Sequence, residues 1–422
     1  MEKKGLHYAW KVFIAICIIT FVNGLGSSYA IFMTPVTKEF GCSITAFGLV
    51  YTLQTYAQVV GTPIFAAVYK KGKSRQAIAA AIIFTAIGYL GQGFAHNIYT
   101  LYVLNIIIGL SQGLLILVFG ADLIGRWFAV SIATLVGLSG CLRAAGGAVF
   151  NGLGGWLIDV SGWRTTTIVF GICMLVILPA ALWCHNDPEK LGWKPFGIEK
   201  AAAEQKGPAE DLGKPAGLTF KRLRKMPVFW IFVLAICLTP FCNVLYGYLN
   251  NWLQTAKGMT STTAGFCNSA LMVGGICGYI GIGRICDKNY KAGILCCMAG
   301  AVIAYPILSL SNGLGYVAYL ILFFLIGVTY QPTCGIMEPT VVREAIGMKD
   351  YTVVWAFMVS ALNFLGALGS TVWGVMINAF GYTATFIICA VTYAVLALVF
   401  IAVVGIAKNN WSKMPEWQPD AE

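Results

Sequence analysis

The chain has 422 residues, of which 58% are hydrophobic and 11% charged, with a formal net charge of +11 and a mean hydropathy of +0.77. A soluble domain carries roughly 25% charged residues, so a soluble globular enzyme is excluded. The apolar runs are long and continuous rather than alternating in ~10-residue segments, which excludes an outer-membrane barrel.

Twelve runs long enough for the ~20 residues of a spanning helix are predicted in chain order. They cover 8–33, 44–69, 77–95, 98–122, 129–157, 163–183, 228–253, 262–284, 291–310, 314–338, 351–378 and 383–406. The first follows Lys3 and Lys4, is too long for a signal-peptide core and has no small-residue cleavage site after it. It is therefore predicted as a retained span. The chain reads as an all-α membrane protein of 12 transmembrane helices.

Basic residues fix the orientation. With the N-terminus inside, 24 of the 28 Lys and Arg residues fall in inner segments and three in outer loops (Lys38, Arg164, Lys257), while Arg143 lies within a span. Inner loops collect positive charge, so both termini are predicted to be cytoplasmic. The positive charge is then a topology signal and needs no nucleic acid. The 14 cysteines lie almost all inside spans, with no CxxC pair and no Cys/His cluster. They read as small packed hydrophobes, with no metal or cofactor implied.

One polar stretch, 184–227, interrupts the pattern; it is charged and rich in Pro, Gly and Ala. It reads as a cytoplasmic linker between an N-terminal half, 1–183, and a C-terminal half, 228–407. Residues 408–422 form a cytoplasmic tail. The halves are weakly similar at an offset of about 220: Trp10 falls on Trp230 (220), Gln112 on Gln331 (219), and GGWLIDVSGW from Gly154 on WGVMINAFGY from Trp373 (219). A tandem repeat of six-helix halves is predicted, with a site near mid-depth where such halves meet.

These segments carry a family resemblance. HYAWKVF, the Pro35, Glu39, Phe40, Gly41 turn, RWF at 126–128, AGGAVFNGLGGWLIDVSGWR at 145–164 and NFLGALGSTVWGVMINAFGY at 363–382 together resemble the major facilitator superfamily. Within it they resemble the monocarboxylate-porter and oxalate/formate-antiporter-like branch. GRICDKNYK at 283–291 resembles the superfamily's short inner loop motif; the equivalent stretch after the second span, FAAVYKKGKSRQ, lacks the acidic residue that Asp287 supplies. The resemblance implies the major facilitator fold and a secondary transporter in the cytoplasmic membrane, functional as a monomer. Relatives that move lactate or oxalate carry an Arg in the eighth span; here that span is uncharged until Arg284, and the eleventh has no charge.

A charge at the bilayer centre is expensive, so it marks function by default. Arg143 is the one charged residue near the middle of a predicted span. Its guanidinium cannot lose its charge and binds a carboxylate through two parallel hydrogen bonds. It is the predicted anion anchor; bonding to helix-end carbonyls or to Gln112 is the structural alternative. Polar and aromatic groups at similar depth complete the expected substrate site: Asn23, Tyr29, Tyr56, Gln112, Asn243, Tyr246, Asn268, Tyr330, Gln331 and Asn363. Charges at inner helix ends, Asp122, Arg126, Arg284, Asp287, Glu338 and Arg343, are expected to form and break gating pairs, or to be ordinary interfacial ion pairs.

Enzyme chemistry finds no support. GLSQG at 109–113 matches a nucleophile-elbow pattern but sits inside a helix, away from His7, His96 and His185. The expected function is alternating-access transport of a small organic anion, mono- or dicarboxylate, as antiporter, uniporter or proton symporter. No mid-span acid is visible, which favours anion exchange or uniport, with protons the other coupling partner. Efflux of hydrophobic or cationic compounds is the alternative.

Overall fold

The computed structural model describes residues 7–198, 217–310, 313–414 and 417. Lys3 and Lys4, the middle of the expected linker and most of the expected tail lie outside the described residues. So does the side chain of Asp287. The described chain is α-helical. It divides into two compact units, one of Met1–Ala209 with Gln254–Ser269 and the other of Glu210–Leu253 with Ala270–Glu422.

The first unit is built from α1 (Tyr8–Asn23), α2 (Tyr29–Phe40), α3 (Ile44–Lys70), α4 (Ser74–Gln92), α5 (Ile98–Gly113), α6 (Phe119–Trp127) and α7 (Ile132–Val176). Short polar side chains set several starts. The Ser43 hydroxyl accepts from Ala46 N at 3.1 Å and the Asn97 carbonyl oxygen from Thr100 N at 2.9 Å, satisfying donors that a helix leaves unpaired. His7 caps α1 through Nδ1, which accepts from Ala9 N at 3.2 Å, a role open only to the neutral ring. Trp193 and Phe196 pack edge-on against it, and burial lowers its pKa below the usual histidine value.

The second unit contains α8 (Pro227–Asn243), α9 (Tyr246–Lys257), α10 (Ser261–Lys288), α11 (Tyr290–Leu310), α12 (Tyr316–Pro332), α13 (Glu338–Ile346) and α14 (Tyr351–Asn410), with the end of α9 from Gln254 and the start of α10 up to Ser269 belonging to the first. Each unit repeats the other's irregularities at an offset of 219 residues. A π-helical turn covers Leu114–Val118 in one and Thr333–Met337 in the other. The chain leaves helical geometry at Gly162 (φ 80°) inside α7 and at Gly381 (φ 75°) inside α14. Both φ values lie in the left-handed region that glycine adopts without a Cβ clash.

Among the described residues, nine helical segments are long and apolar enough to cross a membrane. Two of them, Thr134–Trp183 and Tyr351–Asn410, each contain two of the twelve expected runs, joined at Gly162 and Gly381. The α3 helix is not among the nine: Gln54, Tyr56, Gln58 and Thr62 lower its apolarity. Large apolar side chains point outward along the helices, as at Val60, Ile64, Ile303 and Val317. That outward greasiness suits lipid rather than water.

Candidate functional site

In the first unit, the predicted residues gather around a break in the first span. A 3-10 turn, Gly24–Ser28, links α1 to α2. Its glycines let two helices close on it. A Cβ on Gly24 would stand 2.5 Å from the Arg143 carbonyl oxygen and 2.6 Å from Gly147 N of α7; one on Gly26 would stand 2.9 Å from Gln112 Nε2 of α5. Asn23 precedes the turn, 1% exposed, and neither of its side-chain polar atoms has a hydrogen-bond partner; the buried Ser28 hydroxyl also lacks one. Gln112 Oε1 accepts from Gln54 Nε2 at 3.0 Å, while its own Nε2 is buried without a partner. Buried polar groups are normally satisfied, so this run of orphans around one turn is a departure that calls for an occupant.

Arg143 lies eleven residues into α7, ~17 Å along the helix, and is half-buried. Its Nε is buried without a hydrogen-bond partner. Ion pairs among the described residues include those of Arg126 with Asp122 and Asp187, Arg164 with Glu39, Lys190 with Asp187 and Lys408 with Glu344; none of these involves Arg143. At the repeat offset the second unit has Leu362. In the same unit, the Tyr29 ring stacks on Tyr51 at 4.5 Å. These two rings, with Gln54, Tyr89, Gln92 and Asn105, line a pocket that includes neither Arg143 nor Tyr56. Asn268 donates to Asn151 Oδ1 at 3.5 Å, and its own Oδ1 is unpartnered.

The second unit arranges its candidates differently. Asn243 is 4% exposed and bonded at both ends: Tyr393 OH donates to its Oδ1, and its Nδ2 donates to Cys334 Sγ at 3.0 Å. Tyr246 and Tyr330 pack ring on ring at 4.7 Å. Gln331 reaches Met272 Sδ at 3.5 Å, whereas Asn363 turns back onto its own helix at Val359 O, 2.8 Å.

Of the expected gating charges, Asp122 accepts from Arg126 Nε at 2.7 Å and from Tyr69 OH at 2.9 Å, and Arg126 also reaches Asp187 at 3.7 Å. Arg284 and Arg343 are exposed. Glu338 is apart from them: it is 0% exposed, and neither carboxylate oxygen has a hydrogen-bond partner among the described residues.

Two clusters escaped the sequence reading. Glu39 grips Arg164, taking Nε at 3.1 Å and one terminal nitrogen at 2.8 Å, and also accepts from Trp163 Nε1. The other terminal nitrogen of Arg164 donates to the carbonyls of Gly93 and Ala95, 3.2 and 2.5 Å away. Asp159 accepts from Ser261 N, Thr262 N and the Thr262 hydroxyl, so it caps the start of α10. The only foresight available was that Glu39 and Arg164 sit in turns bounded by Gly41 and Gly162. Arg164→Ala should lower the thermal stability of the purified protein by about 1–2 kcal/mol. The exposed pair alone is worth under ~1 kcal/mol, and the rest comes from the two freed carbonyls; thermal unfolding read by size exclusion measures it.

The sequence matches the Major Facilitator Superfamily over residues 16–350. This chain belongs to that superfamily and is a multi-pass membrane transporter. Among curated proteins it is 25% identical over 342 residues to a gallate transporter of Pseudomonas putida, covering 73% of each chain. It is 24% identical over 311 residues to a probable galactarate/D-glucarate transporter of Bacillus subtilis, covering 69% of this chain and 67% of that one. A 4-hydroxybenzoate transporter of Pseudomonas putida is 23% identical over 333 residues, covering 71% and 72%. Among solved structures, a bacterial homologue of the human lysosomal transporter Spinster superposes with a TM-score of 0.74 at 17% identity, covering 97% of this chain and 100% of that one. A D-xylose–proton symporter gives 0.70 at 14%, covering 98% and 100%. At these identities the structures show the fold.

Proposed function

We propose that this chain is a secondary transporter for a small organic anion bearing a carboxylate, working by alternating access in the cytoplasmic membrane, with Arg143 as the anion anchor. The observation that carries the reading is a permanent cation inside a span with no carboxylate partner among the described residues. Burying an unpaired charge is costly, and a carboxylate substrate supplies what is missing through paired hydrogen bonds. Gallate, 4-hydroxybenzoate and glucarate, the cargoes of the named relatives, are all carboxylates, as are the cargoes of the monocarboxylate and oxalate/formate branch. The unpartnered amides of Asn23 and Gln112 supply hydrogen bonds for the rest of such a molecule. The distribution of basic residues supports twelve crossings with both termini inside.

The aromatic lining of the first unit's pocket is the one feature that favours the second reading, efflux of hydrophobic or cationic compounds. Uptake of labelled gallate, 4-hydroxybenzoate, D-glucarate, oxalate and lactate into proteoliposomes, beside a labelled lipophilic cation, decides between the two. Saturable carboxylate uptake supports the first; saturable movement of the cation alone replaces it with the second.

A further inference from the structure

We propose that the break in the first span reads a hydroxyl on the transported acid: Asn23, Ser28 and Gln112 select hydroxylated carboxylates over the same carbon skeletons without the hydroxyl. The inference rests on the carboxylate reading above and adds what the acid must carry besides its charge.

The chemistry of the three side chains is the first ground. Asn23 is 1% exposed, Ser28 0% and Gln112 4%. Both polar atoms of Asn23, the Ser28 hydroxyl and Gln112 Nε2 lack a hydrogen-bond partner among the described residues. Gln112 Oε1 is taken, since it accepts from Gln54 Nε2. What remains is N–H donors on Asn23 and Gln112, a carbonyl acceptor on Asn23 and a hydroxyl that does either. The set is uncharged and mixed. A carboxylate only accepts and an ammonium only donates, so each would leave one end of Asn23 unanswered. A hydroxyl answers both ends. The position suits a small group as well. Asn23 ends α1 at the 3-10 turn Gly24–Ser28, and α5 and α7 approach that turn to within 2.9 and 2.5 Å of where a Cβ would stand on Gly26 and Gly24. A 3-10 stretch inside a longer helix often marks a functional hinge.

The internal repeat is the second ground. Asn243 holds in the second unit the place of Asn23 in the first, at the 220-residue offset that also relates Trp10 to Trp230. There the protein satisfies the amide by itself: Tyr393 OH donates to Oδ1, and Nδ2 donates to Cys334 Sγ at 3.0 Å. At the 219-residue offset of the π turns and glycine breaks, Tyr393 and Cys334 correspond to Met174 and Leu115. Both are buried, and neither side chain carries a hydrogen to donate. The first unit therefore keeps the asparagine and omits the hydroxyl that completes it. The fold can satisfy this amide from within, as the second unit does, so packing does not require the first to leave it open. The Tyr393 hydroxyl on Asn243 is an internal example of the contact that a substrate hydroxyl makes to Asn23.

Such a site discriminates strongly in one direction. It rejects an analogue that lacks the hydroxyl because its own buried groups are then left unpaired. One buried amide so left corresponds to about 30-fold.

The test measures saturable uptake into proteoliposomes of the full chain for labelled pairs: 4-hydroxybenzoate and benzoate, lactate and propionate, D-glucarate and adipate. In the pair that moves, the parent should favour the hydroxylated member by about 30-fold at limiting concentration. Asn23→Leu replaces the amide by an apolar group of similar shape and should bring that ratio to within about threefold of one. Ser28→Ala should lower the ratio by about fivefold. An asparagine that served packing alone would change both members alike and leave the ratio where it was. Equal uptake of the two members by the parent overturns the proposal while the carboxylate reading stands. A preference that survives both substitutions overturns it too; should Asn23→Leu fail to fold, an unchanged ratio in Ser28→Ala does so alone. If no acid of any pair moves saturably, the carboxylate reading falls and this proposal falls with it.

Discussion

Arg143→Gln lowers carboxylate uptake by about 100-fold, and Arg143→Lys restores part of it. Removing one member of a desolvated charge pair costs ~2–5 kcal/mol; for a half-buried guanidinium the lower half of that range applies, and ~2.8 kcal/mol is roughly 100-fold in affinity. Lysine keeps the charge but offers a point donor in place of the planar fork, so it recovers attraction without the paired geometry. Stability should move the other way. In the substrate-free protein the guanidinium is half-buried, its Nε unpartnered, and the equivalent position in the second unit holds Leu362. Arg143→Leu should therefore raise the unfolding temperature of the purified protein while abolishing anion uptake, the trade expected where a site is kept strained for function. Uptake assays on the three variants beside their thermal unfolding check both signs. Wild-type affinity in Arg143→Gln would remove the residue from the site, whatever its effect on stability.

The repeat and the spans were legible because they rest on local signals. Gln112 and Gln331 share a spacing, and that same spacing carries the π turns and the Gly162 and Gly381 breaks. Apolar runs announce themselves residue by residue, as does the lone Arg143 among them. What stayed hidden depends on which face of a helix points where. Glu338 falls near an end of a predicted span, where charges commonly reach water, and nothing in the sequence tells a carboxyl that snorkels from one that is sealed. Its burial follows from the packing of the turn before it, which a helix of ordinary pitch would have rotated differently. The Glu39–Arg164 clamp joins residues 125 apart, and the Asp159 cap on α10 joins residues about 100 apart; pairings at that distance leave no periodic trace.

Gly109→Ala should prevent this protein from folding to a stable form, whereas Gly137→Ala should leave it unharmed. Both substitutions add one methyl group to a helix interior, where alanine is intrinsically better than glycine by ~0.5–1 kcal/mol. The difference lies in what the methyl meets. At Gly137, on α7, nothing lies within 4 Å of an added Cβ. At Gly109, on α5, the methyl would overlap the Gln54 carbonyl oxygen of α3 and stand 2.8 Å from the Ala57 Cβ. Backbone cannot rotate aside as a long side chain can, so α3 and α5 must separate along their crossing. Overpacking of a core usually costs ~1–3 kcal/mol; here helix separation adds the loss of the Gln54–Gln112 hydrogen bond and of close backbone contact, the main attraction between helices in lipid. The second unit uses the same device, with Gly327 of α12 against the Leu271 backbone of α10, so Gly327→Ala should fail similarly. Yield of monodisperse protein after detergent extraction is the measurement. Equal yields for Gly109→Ala and Gly137→Ala would mean that the α3–α5 crossing is looser than its backbone contacts imply.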